Sequence, residues 1–182
     1  MKDLMVDIET LGTCNDAVIT QIGACYFDRY TGDIGEEFVV NVEIDSCLKK
    51  GLRVTSGSIK FWLERKENCT FLKNPVPLGS ALGKFGTFID KKAFLWSHAT
   101  FDMIILAAGY EAVGQGLPYS YRNVRDIRTL TDLARIPYKK EEGEEKKDAK
   151  SHDALEDCRY QVEYCVECFK KLQHADHASD HA

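Results

Sequence analysis

Two carboxylates stand two residues apart in LMVDIETLGT, residues 4–13: Asp7 and Glu9, set among Leu4, Met5, Val6 and Ile8. The apolar run reads as a core strand, and alternate residues of a strand share a face. Asp7 and Glu9 therefore point the same way, about 6–7 Å apart along the backbone. Like charges at that spacing repel, and burying either is costly unless solvent, a basic partner or a metal ion offsets it. Further acids follow downstream. Asp102 closes WSHATFD, 96–102, and Asp157 closes SHDALED, 151–157, with His152 five residues before it. Asp153 and Glu156 read as a capping box, which starts the last helix near 153 and puts Asp157 in its first turn. His152 then lies in a movable segment just ahead of that helix.

If these elements converge around a central first strand, four acids meet, and they need cations. Hard oxygen ligands suit Mg²⁺ or Mn²⁺. Two such ions about 3.5–4 Å apart clamp the attacking and leaving oxygens of a phosphodiester displacement. A histidine on a movable loop takes the proton from the attacking water. Singly, each residue has a plainer reading: an edge-strand acid, a first-turn acid favoured by the helix dipole, a loop histidine, a surface acid. Together they favour the metal site.

The elements that must position them follow from pattern. Strands are expected over 4–10, 17–28 and 35–44, with an Asp- and Gly-rich turn at 28–33. Short connections make an antiparallel meander of the three. Helices are expected over 56–66 and 77–91, with a loop at 67–77 between them. Then come a strand at 93–97, a helix at 100–114, a strand at 121–126 and a helix at 127–136 ended by Pro137. Residues 138–150 form a charged, mobile loop, and the last helix covers 153–172. The order gives an α/β domain with a five-stranded mixed sheet, antiparallel on one side and parallel on the other, flanked by helices. One domain, 1–172, is expected, with 173–182 a disordered tail. Trp62 and Trp96 read as core, His98 as core or pocket lining, and Asp126 as a helix cap. Arg128 is left between a phosphate contact and an ion pair.

Composition bounds the rest. The 182 residues suit one domain with a sizeable core, at 44% hydrophobic and 29% charged residues. A formal net charge of −5 argues against a general polyanion binder. It leaves room for an enzyme that meets nucleic acid through metal ions at one acidic site. No apolar run is long enough to span a membrane, and the N-terminus lacks a signal-peptide shape, so a cytoplasmic protein is expected. Seven cysteines, an odd number, read as reduced thiols. Cys165 and Cys168 have the spacing of half a zinc site, but no second pair accompanies them, and packed thiols on a helix face are the better reading.

The blocks V-D-I-E-T, W-x-x-x-x-F-D and H-D-A-L-E-D, in this order, resemble the three motifs of the DEDDh 3′→5′ exonucleases. IKFWLER at 59–65, LWSHATFD at 95–102 and YRNVRDIRTL at 121–130 resemble a phage and bacterial branch, which includes a phage exodeoxyribonuclease and a mycobacterial exoribonuclease. The likeness spans roughly residues 4–170. It implies a ribonuclease H-like fold and cleavage of single-stranded DNA or RNA from the 3′ end, 3′ overhangs included, releasing nucleoside 5′-monophosphates. It implies two Mg²⁺ or Mn²⁺ held by Asp7, Glu9, Asp102 and Asp157, with Asp7 bridging both and Asp102 acting partly through water. His152 would be the general base. Thr10 and Leu11 match positions that line the pocket of the terminal nucleotide, and Phe101 would pack beside it. Glu9-Thr10-Leu11-Gly12 departs from the more familiar E-T-T-G, which touches the base contacts rather than the metals. A non-catalytic nucleic-acid-binding module and a ribonuclease H-type endonuclease are the alternatives, and a homodimer stays open.

Overall fold

The computed structural model describes residues 2–98, 100–136 and 152–179. Five strands form one sheet: β1 (Asp3–Thr10), β2 (Ile19–Phe27), β3 (Ile34–Asn41), β4 (Phe94–Ser97) and β5 (Val124–Asp126). Their order across the sheet is β3-β2-β1-β4-β5. β1 runs antiparallel to β2, and β2 to β3, whereas β4 is parallel to both β1 and β5. The expected mixed sheet with a central first strand is therefore present.

Alternation along the strands sends residues to two separate cores. Leu4, Val6 and Ile8 of β1, with Ile22, Ala24 and Tyr26 of β2, face one side. They pack against α3 (Leu78–Phe88) and α4 (Asp102–Ala112) through Leu78, Leu82, Phe85, Met103 and Leu106. Met5 of β1 and Cys25 and Phe27 of β2 face the other side. There they meet Ile127 and Leu130 of α5 (Ile127–Leu133) and Cys158, Val162 and Cys165 of α6 (Ala154–Ser179). Two short helices, α1 (Ile44–Leu48) and α2 (Ser56–Glu64), lie between β3 and α3 in the chain.

Several boundaries differ from the sequence pattern, each for a local reason. β3 stops at Asn41 because the chain then turns to a new neighbour: Val42 bridges Val76, and Glu43 N–H donates to Val76 O. Only Val124–Asp126 of the expected strand at 121–126 pairs with β4, since Ser120 accepts from Arg122 N–H and turns Tyr121–Asn123 into a single 3₁₀ turn. α6 runs on through Ser179, past the helix end expected at 172. No Pro or Gly interrupts QHADHAS, and its alanines favour the helix. The charged stretch 138–150 and residues 180–182 lie outside the described residues. Cys165 and Cys168 are buried in the second core, as packed thiols should be. No described helix is long and apolar enough to cross a membrane.

The contact that sets the site is between β2 and α6. A Cβ built on Gly23 would stand 2.3 Å from the Ala154 carbonyl carbon and 2.5 Å from its oxygen. Only glycine lets the start of α6 lie this close to the sheet, and Gly23 is the residue registered with Asp7 on β1. Gly23→Ala should therefore lift α6 off the sheet and destabilise the fold by about 2 kcal/mol or more, as overpacking against backbone does. Gly83→Ala, in open space on α3, should be neutral or stabilising by up to about 1 kcal/mol. Urea denaturation of the two variants checks both signs.

Candidate active site

The acids gather at the C-terminal ends of the parallel strands. β4 pairs with β1 only as far as Met5. Beyond that point Asp102, the first residue of α4, takes the place of the missing neighbour: its Oδ1 accepts from Ile8 N–H at 3.3 Å. Its Oδ2 accepts from His98 N–H at 3.0 Å, closing the turn between β4 and α4. Asp7 and Glu9 share the α6 face of β1, each 9% exposed, and Asp102 is 1% exposed.

The start of α6 is pinned to β2 by a polar clasp. Gln21 Oε1 accepts from Ala154 N–H at 2.7 Å, and Gln21 Nε2 donates to Asp153 Oδ2 at 3.2 Å. Asp153 Oδ1 accepts from Leu155 and Glu156 N–H, at 3.2 and 3.4 Å, so Asp153 caps the helix as the sequence suggests. Glu156 does not complete the box, because it pairs with Arg159 instead. The clasp directs Asp157 at β1. Glu9, His152 and Asp157 offer ligand atoms that all lie within 4.8 Å of one another. A second group, Asp7, His98 and Asp102, meets the same limit.

His152 is held more firmly than a movable segment suggests. Its ring packs edge-on against Phe61 and Trp62 of α2, with centroids 4.8 and 5.9 Å away. Its φ of 32° lies in the left-handed region, a strained conformation for a non-glycine residue. Beside it opens a pocket of about 380 Å³, lined among others by Glu9, Thr10, Thr13, Phe61, Trp62 and Phe101. Thr10 and Phe101 thus face the pocket with the catalytic candidates. Leu11 is outside that lining and packs against the first core. Trp62, expected as core, also braces the pocket floor, since its Nε1–H donates to Thr10 O at 2.9 Å.

The electrostatics distinguish the three ways of offsetting the buried acids. Asp3, on the same strand, has a basic partner in Arg29 and also accepts from Trp96 Nε1–H. Among the described residues no lysine or arginine pairs with Asp7 or Glu9. Burial, then the charges of Asp157, Asp153 and Asp102, push Glu9 up to about 8. Burial pushes Asp102 up to about 7 against the pull of its backbone donors. Burial and the charges of Asp102, Glu9 and Asp157 hold Asp7 well above the usual carboxylate range. The charge of Arg128 lowers Asp102 only in part, and among the described residues Asp7 and Glu9 stay buried with no basic side chain in an ion pair.

Gln161, one turn after Asp157 on α6, supplies a further observation. Its Nε2 donates to Asp7 Oδ1 at 2.7 Å. Its Oε1 is buried and has no hydrogen-bond partner among the described residues. Water bound to an ion at Asp7 is the kind of donor that such an acceptor lacks. The donor set and this orphaned oxygen both fit divalent cations. Asp126 is a cap, accepting from Thr129 N–H and Oγ1–H. Arg128 reaches Thr100 Oγ1 at 3.4 Å.

A ribonuclease H-like sheet with four acids and a histidine at its carboxyl edge defines a protein of the DEDDh 3′→5′ exonuclease superfamily. Residues 2–169 match the 3′-5′ exoribonuclease Rv2179c-like domain, and the chain belongs to that family. Among solved structures it is similar to E. coli exonuclease I in a zinc-bound complex with single-stranded DNA, at 15% identity and TM-score 0.64. That match covers 91% of this chain and 40% of the other. A structure of exonuclease I without ligand matches at 16% identity and TM-score 0.64, covering 96% of this chain and 42% of that one. The E. coli enzyme with a dT13 oligonucleotide matches at 16% identity and TM-score 0.59, covering 93% and 40%. The chain thus spans well under half the length of these neighbours, and the likeness is one of fold. No curated protein matches it.

Proposed function

We propose that the chain is a metal-dependent exonuclease that removes nucleoside 5′-monophosphates from the 3′ end of single-stranded DNA or RNA. The observation that carries this reading is the convergence of Asp7, Glu9, Asp102, Asp157 and His152 beside a pocket of nucleotide size. The family name points to RNA, whereas the exonuclease I neighbours were captured on DNA.

Asp7, Glu9, Asp102 and Asp157 would hold two Mg²⁺ or Mn²⁺. Those ions would supply charge stabilisation to the attacking and leaving oxygens of the phosphodiester. The protein's own part is positional. Asp7 is oriented by Gln161 and Asp102 by two backbone N–H groups, so neither carboxylate has to reorganise. His152, pressed against Phe61 and Trp62 at the pocket wall, takes the proton of the attacking water. Thr10 and Phe101 line the space for the terminal nucleotide, with Phe61 and Trp62 in the same lining.

Matched DNA and RNA oligonucleotides, labelled at the 5′ end, should shorten stepwise from the 3′ end when Mg²⁺ or Mn²⁺ is added. A circular single strand should stay intact, and its cleavage would instead favour a ribonuclease H-type endonuclease. Absence of any metal-dependent loss of terminal nucleotides overturns the enzyme reading and leaves a binding module. His152→Ala should lower kcat about 10²–10⁴-fold, the usual share of a general base, while binding of the strand in Ca²⁺ persists.

A further inference from the structure

The sequence pattern reads His98 as core or pocket lining. The structure instead sets it against two of the four acids. A ring nitrogen of His98 and carboxylate oxygens of Asp7 and Asp102 all lie within 4.8 Å of one another. His98 is the first residue past β4, and its own N–H holds Asp102 Oδ2. Ring and carboxylate are therefore carried by one turn and move together. The opposite oxygen of Asp102 is fixed by Ile8 N–H, and Asp7 is fixed by Gln161. Gln161 is itself 5% exposed, with its Oε1 unpartnered among the described residues. All three candidate donors thus come from braced positions around one point.

We infer that His98 is a direct nitrogen ligand of the divalent ion held between Asp7 and Asp102, making this position a mixed nitrogen–oxygen site that prefers Mn²⁺ to Mg²⁺. The inference rests on the two-ion reading of the site and refines it. Mg²⁺ keeps to oxygen donors and water, whereas Mn²⁺ opens the first-row transition series, whose affinity for nitrogen donors starts weakly at Mn²⁺ and rises from it. A ligating imidazole also offers its second N–H to a nearby acceptor, commonly a carboxylate. Asp126 is an acid whose charge reaches His98, and its Oδ1 is buried without a hydrogen-bond partner among the described residues. It is registered with Ser97, the residue before His98. Arg128, the other charged neighbour of the ring, keeps its guanidinium on Thr100.

The chain has five histidines, at positions 98, 152, 174, 177 and 181. Replacing the last four by alanine leaves His98 as the sole imidazole. Pulsed electron paramagnetic resonance of this protein with Mn²⁺, without nucleic acid, should show coupling to a ligating nitrogen. The pattern should change when histidine is supplied as ¹⁵N. In the otherwise wild-type chain, His98→Gln should lower Mn²⁺ affinity at least about tenfold, since removing even a group that orients a ligand commonly costs that much. Mg²⁺ affinity, read by competition, should fall far less. Bound Mn²⁺ without nitrogen coupling overturns the assignment of His98 alone. Equal losses for the two ions overturn the selectivity. A chain that binds no Mn²⁺ overturns the two-ion reading with it. Should His98→Gln fail to fold, the single-histidine protein still decides the question.

Discussion

Asp7→Asn is expected to abolish metal-dependent turnover and, in the same protein, to raise the melting temperature measured without divalent ions. The two effects have one origin. Asp7 lies among Glu9, Asp102 and Asp157, and both burial and those charges oppose its ionisation. Asparagine keeps the shape and keeps Oδ1 as the acceptor for Gln161 Nε2, so the packing is retained. What is lost is a carboxyl that the ion-free fold keeps only at a cost, whether charged or by taking up a proton. Each kcal/mol recovered raises the midpoint of a domain this size by about 2–4 °C. Turnover should fall by about a thousandfold or more, as removing a preorganised electrostatic group does. Calorimetry in EDTA, run beside a nuclease assay, reads both. A variant that is inactive and also less stable would show that the Asp7 carboxylate is a structural anchor rather than part of a strained ion cradle.

The stabilisation given by Mg²⁺ or Mn²⁺ should grow steeply between about pH 5 and pH 8. In the ion-free fold Glu9 is pushed up to about 8 and Asp102 up to about 7, from ordinary values of 4.5 and 3.8. Between the ordinary and the raised values the folded protein holds protons that the unfolded chain has released. Folding stability from these groups is therefore complete below the ordinary values and is lost as pH rises through 7 to 8. The effect is of the order of a few kcal/mol for each group, at about 1.4 kcal/mol for each unit of displacement. Divalent ions compete with those protons, so they add little at pH 5 and much at pH 8. Melting curves with and without ion at several pH values test this. A constant increment across the range would mean that the ions bind away from Glu9 and Asp102.

The clustered acids were readable because their spacing is tied to secondary structure. Two acids at alternate positions of an apolar strand share one buried face and call for a counter-charge there. An acid in the first turn of a helix has a defined direction. Strand order followed from short connections between β1, β2 and β3 and long ones afterwards. What escaped was the set of groups that act through tertiary contact. Gln161 is four residues from Asp157 and so on the same helix face, but nothing in EDCRYQV says that this face meets Asp7. His98 lies four residues before Asp102, and only the turn between β4 and α4 shows that its ring looks into the site. Gly23 is an ordinary strand glycine until α6 is laid across it. The clasp of Gln21 with Asp153 and Ala154 likewise joins segments more than a hundred residues apart. Helix ends were misplaced where cap and breaker signals were weak, as beyond 172, where no Gly or Pro stops α6.

The thiol-rich face under α6 carries a consequence for experiment. Cys25 from β2 and Cys158, Cys165 and Cys168 from α6 are buried together with Met5 and Phe27. Burial pushes the Cys158, Cys165 and Cys168 thiols upward, away from the thiolate that reacts with alkylating reagents. While α6 is docked these sulfurs are chemically silent. The helix that hides them is also the one that delivers Asp157 and Gln161 to β1. The rate at which they become open to alkylation is thus a clock for the undocking of half the candidate site, built into the chain with no label added.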